Sequence, residues 1–251
     1  MMTQPKNRAE IEAMREGGHI LATILEATIK QVKPGVSTKD LALFAAKELK
    51  RLDAKPAFLG YHGFPDVICT SINEEVVHGI PSEQRIIEEG DIVSLDFGLL
   101  HKGLITDAAR STIAGQPKGK RDIALVESTK RALNAAIDEV MDGVKLGSIG
   151  AAAQAVLDEA QFGIVRDFVG HGVGHQLHEE PNIPNYGIAN QGQMLNAGMT
   201  VAIEPMATIG DYNVQIESDG WTVVTADGSR AAHFEDTILI TEDGAEILTR
   251  L

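Results

Sequence analysis

The sequence predicts a mixed α/β fold of the α+β kind, assembled from two copies of one unit. Three observations predict it. Two helical blocks alternate with two blocks of short strands, similar residues recur at similar offsets in the two halves, and the chain is long enough, at 251 residues, to bury most of its apolar surface in one compact unit or at most two.

The elements follow in order from local pattern. Ile11, Met14, Leu21, Leu25, Thr28 and Val32 recur at steps of three, four or seven and lay one apolar stripe on a helix, which Pro34 and Gly35 end. Ser37 or Thr38 caps a second helix carrying Leu41, Phe44, Ala45 and Leu49 as far as Asp53. Between positions 55 and 111 the pattern changes to short extended runs, and 91–99 with 104–113 reads as a hairpin. A second helical block has Val126, Leu133, Ile137, Val140 and Val144 on one stripe, a stop near Gly147, and a shorter helix through Val156 and Leu157. The stretch 170–187 is rich in Gly, Pro and Asn, after which 199–207, 214–217, 221–225 and 234–241 read as strands.

The resulting order is αα-β-αα-β. Val32-Lys33-Pro34-Gly35 matches Val144-Lys145-Leu146-Gly147, and His78-Gly79-Ile80-Pro81 matches His178-Glu179-Glu180-Pro181. The run GDIVSLD, ending at Asp96, matches GMTVAIE, ending at Glu204. A duplicated unit whose copies face each other would bring both acidic sets to one central cleft.

Composition removes several function classes. Lys and Arg number 22 against 36 Asp and Glu, a formal net charge of −14 that repels phosphate backbones and anionic bilayers, so neither DNA nor a membrane is an expected partner. Cys69 is the only cysteine, which excludes an intrachain disulfide and a Cys-based zinc site and favours a reducing compartment. The start MMTQPKNRAE has no apolar run of signal-peptide length, and no 18 apolar residues follow one another; a cytoplasmic location is expected.

Chemistry concentrates on a few acids and histidines. Asp96 and Asp107 lie on either side of the expected turn at His101-Lys102-Gly103, which makes them near neighbours across two strands. Directly opposed residues there have Cβ atoms roughly 4.5–5.5 Å apart, and like charges so placed destabilise a sheet. A salt bridge to a residue such as Arg110, protonation of one acid, or a metal pair would offset the repulsion, and solvation at the surface would avoid it. Alternation places Asp96 on a face with Ile92 and Ser94, and Glu204 on a face with Thr200 and Ala202, so each acid ends a strand whose other face is apolar. Glu235 opens the apolar run 237–240 much as Asp107 opens the strand towards Ile113. Acids on buried strands need pairing or coordination. His171 lies in the glycine-dense stretch GHGVGHQLHEEP, where backbone can approach a site closely. Two Asp, two Glu and one His suit Mn, Fe, Co or Zn better than a thiolate-preferring ion. The stretch lacks G-x-G-x-x-G spacing and H-E-x-x-H, and the chain contains neither G-x-S-x-G nor a P-loop. His19 and His62 have no comparable setting and read as packing or surface.

NEEVVHGIP, DIVSLDFG with the downstream TDAARSTIAG, GHGVGHQLHEEPNIPNYG, MTVAIEPM and FEDTILIT together resemble the type I methionine aminopeptidases of the short bacterial kind, within the M24 metallopeptidases, over nearly the whole chain. The resemblance implies a pita-bread fold with a pseudo-twofold axis, a central antiparallel sheet and helices on its outer face. One catalytic domain would span 1–251, with halves of approximately 7–115 and 118–251. It implies Asp96, Asp107, His171, Glu204 and Glu235 as ligands of two divalent ions (Co, Mn, Fe or Zn), and His78 and His178 as substrate-contacting catalytic histidines. Tyr61, Phe64, Cys69 and Trp221 would line a pocket for the methionine side chain, although Phe64 and Cys69 also fit ordinary core. The implied reaction removes the N-terminal methionine of nascent polypeptides ahead of a small second residue. A hydroxide bridging the metals attacks, Glu204 carries the proton, and His178, helped by His78, donates to the carbonyl oxygen. Asp236, His175 and Leu177 depart from the family's pattern. A monomer is expected, with transient ribosome contact through Lys118, Lys120 and Arg121. The alternatives are an aminopeptidase P or prolidase, which usually carries an additional N-terminal domain, and a pita-bread binding module without catalysis.

Overall fold

The computed structural model describes residues 2–251, and its four long helices come in two pairs, the first packed on one sheet and the second packed across two. Helix α1 (Arg8–Ile29) begins at Asn7, whose side chain accepts from the amides of Ala9 and Glu10 while Glu10 accepts from the Asn7 amide. This reciprocal cap satisfies N–H groups that a helix start leaves unpaired. Ser37 and Asp40 form the same device at the start of α2 (Thr38–Arg51). The first helix ends at Ile29, so Val32 belongs to the following turn and not to the stripe. Helix α3 (Lys120–Asp138) is likewise shorter than its apolar spacing suggests. Val140 and Val144 stay buried but lie beyond it, where the chain reverses at Gly143 with φ +79°. Gly147 stops nothing: it sits in the first turn of α4 (Leu146–Glu159), where an added Cβ would come within 2.2 Å of the Ile188 carbonyl oxygen. Its lack of a side chain lets a loop lie directly on the helix.

The expected hairpin forms from Ile92–His101 and Leu104–Ile113, turning at Lys102 and Gly103, both at positive φ as a two-residue hairpin loop requires. Cys69–Ile72 and Lys55–Pro56 pair with its first strand to complete a four-stranded sheet. A five-stranded sheet runs in the order Gly244–Ile247, Asp236–Thr241, Thr200–Ile203, Gly170–Gly172, Glu179–Ile183. Strand pairing within these sheets is antiparallel, and a bridge between Ala109 and Glu235 joins the two. The predicted strand 199–207 divides at Pro205, which has no N–H to give a ladder. Its second part, Met206–Thr208, pairs with Ala231–His233 in a separate three-stranded sheet.

Alternation decides what each sheet offers its two faces. Leu95 and Phe97 pack with Leu21, Leu25 and Leu41 of the first helix pair, and Val201, Ile203 and Ile238 pack with Leu133, Ile137 and Leu157 of the second. The opposite faces hold Asp96 and Asp107 on one sheet and His171 on the other, with Glu204 and Glu235 at strand ends. Among the described residues, no helix is long and apolar enough to cross a membrane.

Helix α1 crosses the C-terminal segment at Gly18, where a Cβ would lie 2.2 Å from the Leu248 carbonyl oxygen. Gly18→Ala is therefore expected to destabilise the protein by about 1–3 kcal/mol through overpacking. The urea midpoint should fall well below that of Gly119→Ala, whose new methyl would meet nothing within 4 Å. Equal midpoints would contradict this packing.

Candidate metal centre

Every site residue expected from the sequence lines one cavity of about 80 Å³: Asp96, Asp107, His171, Glu204, Glu235, His78, His178, Tyr61, Phe64, Cys69 and Trp221, joined by Phe58 and Leu177. One end is acidic and the other is apolar. The two aspartates are not directly opposed, because Asp96 pairs with Ala109 and Asp107 with Gly98. The turn sits one residue later than the midpoint of the two acids, so they are diagonal neighbours on the same face, which lengthens their separation and eases the repulsion. Arg110 does not offset it either. Its guanidinium donates to the Glu235 carbonyl oxygen at 2.5 Å and to Asp236 Oδ1 at 2.6 Å, on the side away from Asp96 and Asp107.

All five proposed ligands are deeply enclosed. Ligand atoms of Asp107, His171 and Glu235 lie within 4.8 Å of one another, and His171 Nε2 is 3.3 Å from Glu204 Oε1. The buried atoms Asp96 Oδ1 and Glu235 Oε1 have no hydrogen-bond partner among the described residues. Burial pushes the Asp107 carboxyl up to about 7. It pushes Asp96, Glu204 and Glu235 well above the usual carboxylate range, and neighbouring acids add to each. His171 is driven the other way, to about 3, by burial and by His178 nearby. Its Nδ1 lies 3.0 Å from the Gly172 carbonyl oxygen, an arrangement that puts the ring proton there and leaves the Nε2 lone pair facing Glu204. A lone pair facing a carboxyl oxygen, flanked by orphaned acid oxygens, is satisfied either by a proton on the acid or by a divalent cation, and the donor set fits such a cation.

The histidines expected to meet substrate stand between the acidic end and the aromatic wall. The Tyr61 hydroxyl lies 2.8 Å from His178 Nδ1, and the His178 ring centroid is 4.4 Å from that of His171. His78 adopts φ +61°, a conformation that side chains other than glycine rarely take and that surrounding contacts must hold. Burial lowers it to about 4. Phe64 packs edge-on against Trp221 at 5.2 Å between centroids. Phe64 and Cys69 are both buried and both border the cavity, and burial pushes the Cys69 thiol up, which keeps it a small apolar wall.

Three features escaped the sequence reading. Phe58 closes the apolar end, and only its spacing from Phe64 hinted at that. His233 lies buried beside Glu204, with Nε2 3.7 Å from Oε2; its i, i+2 relation to Glu235 was the available signal. Asp236 is fully buried between two guanidinium groups, Arg110 and Arg250, and also accepts from the Thr249 hydroxyl. This clamp accounts for the aspartate, and through the Arg110 contact with the Glu235 carbonyl it ties the C-terminal segment to the acid cluster.

Stability should depend on pH with a definite sign. A carboxyl whose folded pKa is raised binds its proton more tightly in the native state, so its contribution is lost as pH rises towards and past that value. The buried imidazoles have lowered pKa values and act oppositely, but only below about 6.5, where the unfolded chain is still protonated. In the presence of a chelator, the urea midpoint is thus expected to fall between pH 6.5 and 8.5, a window that includes the Asp107 value of about 7, and added Mn²⁺ should remove the fall. A midpoint indifferent to both pH and metal would contradict this electrostatic description.

Comparison with known proteins agrees with the geometry. The model of metallopeptidase family M24 matches residues 12–242. The methionine aminopeptidase of Clostridium acetobutylicum is 46% identical over 244 residues, 97% of each chain, and methionine aminopeptidase 1 of Bacillus subtilis is 45% identical over 246 residues, 98% of each. The crystal structure of methionine aminopeptidase from Thermotoga maritima superposes with a TM-score of 0.97 at 46% identity over the whole of both chains. Prolidase from Pyrococcus furiosus shares the fold at TM-score 0.78 and 25% identity, covering 98% of this chain and 65% of that one. The chain belongs to metallopeptidase family M24 and, within it, to the methionine aminopeptidases.

Proposed function

We propose that this chain hydrolytically removes the N-terminal methionine of peptides and nascent polypeptides, with two divalent ions (Co, Mn, Fe or Zn) held by Asp96, Asp107, His171, Glu204 and Glu235. The observation that carries this reading is that the acid cluster and an apolar, aromatic and sulfur-bearing slot open into the same cavity. Phe58, Tyr61, Phe64, Cys69, Leu177 and Trp221 enclose a space suited to a thioether, which is apolar and polarizable. The free α-amine of the substrate then falls at the acidic end, which restricts cleavage to the first residue.

Divalent cations bound there supply positive charge and Lewis acidity to the attacking water and the scissile carbonyl. The chain's own groups do the rest. Glu204 takes the proton of the water and passes it to the leaving amine. With the Tyr61 hydroxyl donating to Nδ1 of His178, that imidazole carries its proton on Nε2 and can donate to the carbonyl oxygen as it gains charge, assisted by His78. A second cleft shares His78, His171, His178 and Glu204 with the cavity and continues past Phe168 and Asn182, a path for the remaining peptide. Preference for a small second residue is assigned to the crowding of His78, Phe168 and His178 at its entrance.

A prolidase-like specificity has less support, since the prolidase shares 25% identity against 46% for the aminopeptidase relative. Ribosome contact through the loop 118–121 also draws limited support. Lys118 already pairs with Asp91 at 2.9 Å, and Arg121 donates to the carbonyls of Ala160 and Gln161 while covering Phe162. Cosedimentation with ribosomes over a salt series tests it, and complex formation that ignores salt would count against the loop. Action as a monomer in the cytoplasm completes the proposal.

Turnover of Met-Ala-Ser, against little or none of an Xaa-Pro peptide, is the expected result, abolished by chelator and restored by Mn²⁺, Fe²⁺ or Co²⁺. Glu204→Gln should lower kcat by about 10²–10⁴-fold, the range for loss of a general acid–base group. Unchanged turnover in that variant would reject the proton-carrying role.

A further inference from the structure

His233 is 1% exposed, and neither of its ring nitrogens has a hydrogen-bond partner among the described residues. A neutral imidazole always carries one N–H, and leaving it unpaired in the interior is unfavourable, so a buried orphan of this kind calls for an explanation. The backbone around it is not loose. Its amide donates to Ser111 Oγ and its carbonyl accepts from the same hydroxyl, both at 2.8 Å, while the strand Ala231–His233 pairs with Met206–Thr208 in register His233 to Met206. The ring is therefore held at a fixed depth, and its one ion-pair partner among the described residues is Glu204 Oε2, 3.7 Å from Nε2.

The other oxygen of that carboxylate, Oε1, lies 3.3 Å from His171 Nε2. Glu204 thus stands between two imidazoles, one turned towards the acid cluster and one behind it. His233 forms part of the wall of neither the cavity nor the adjoining cleft, so its ring meets Glu204 and not the peptide. Bringing Nε2 into hydrogen-bond range, about 2.7–3.2 Å, needs a movement of under about 1 Å.

We propose that His233 is a positioning residue that donates its Nε2–H to Glu204 Oε2 and so fixes which oxygen of that carboxylate is presented to the reacting groups. This rests on the reading of Glu204 as proton carrier, and it adds the group that orients it. A carboxylate free to rotate would meet the water in a mixture of geometries, and one held from behind meets it in one. The role belongs to turnover more than to binding, because His233 does not touch substrate.

Two variants and one spectroscopic measurement test the proposal. His233→Leu removes the donor at similar volume, and His233→Gln retains an N–H that can reach the same oxygen. With Met-Ala-Ser, the Leu variant is expected to lose about tenfold in kcat with KM within about twofold, and the Gln variant to recover most of that loss, the pattern for an interaction that acts in the transition state. Independently of activity, imidazole ¹⁵N–¹H spectra of the Zn²⁺-loaded parent should show a protected Nε2–H of His233 that is lost or strongly shifted in Glu204→Ala. Parent-like kcat in the Leu variant, or a His233 signal indifferent to Glu204→Ala, would overturn the proposal. If instead Glu204 is not the proton carrier, Glu204→Gln turns over normally while the spectroscopic coupling persists, which separates that failure from this one.

Discussion

Desolvation of negative charge is the constraint on which this structure turns. Asp96, Asp107, Glu204 and Glu235 converge in an interior where each carboxylate loses its hydration and gains like-charged neighbours. A charge in that position must be neutralised by a proton or by a cation. Nearby cations of the chain do not serve: Arg110 and Arg250 are spent on Asp236, and the imidazoles at hand are held neutral by the same burial. The cluster is thus stable either as a set of acids or as a set of ligands. A change of pH or of divalent metal is what moves it between the two.

The rest of the fold can be understood as the support this arrangement needs. The first helix pair takes up the apolar face of the four-stranded sheet, the second covers apolar residues of both the five-stranded sheet and the sheet containing Met206–Thr208, and the faces turned to the acids are left for polar groups. The hairpin turn at Lys102 and Gly103 sets the register of the two aspartates, and the bridge from Ala109 to Glu235 fastens the second sheet to the first. The Asp236 clamp secures the same junction from the far side. The aromatic slot opens directly onto the acids, and under the proposed function this places a bound side chain and the bond to be cut together.

Much of this was legible in the sequence because it depends on local period. Alternation along 92–96 and 200–204 assigned the acids to the face opposite Leu95 and Val201, and the cap expected at Ser37 agrees with the start of the second helix. The alternating order of helices and strands also appeared as expected. What failed to appear depends on contacts between distant segments. The helix ends at Ile29 and Asp138 precede apolar residues that still pack from loops, Val32 half-buried and Val140 and Val144 buried, so periodicity overran them. Gly147 looked like a terminator because its actual reason, the Ile188 backbone lying against it, is not written nearby. The one-residue shift of the hairpin turn changed opposed aspartates into diagonal ones. Arg110 is close to them in sequence, yet its partner is Asp236, 126 residues away. His233 lies two residues before Glu235 but became notable only once Glu204 was seen beside it.

The most direct test of the central claim is calorimetric titration of the metal-free protein with Mn²⁺ near pH 6.5, repeated in buffers of different ionisation enthalpy so that proton transfer can be counted. Carboxyls held protonated by burial must give up protons to become ligands, so binding with a net release of protons is predicted, and the release should shrink as pH rises past about 7. Tight binding with no proton released at pH 6.5, or no binding at all, would contradict the account.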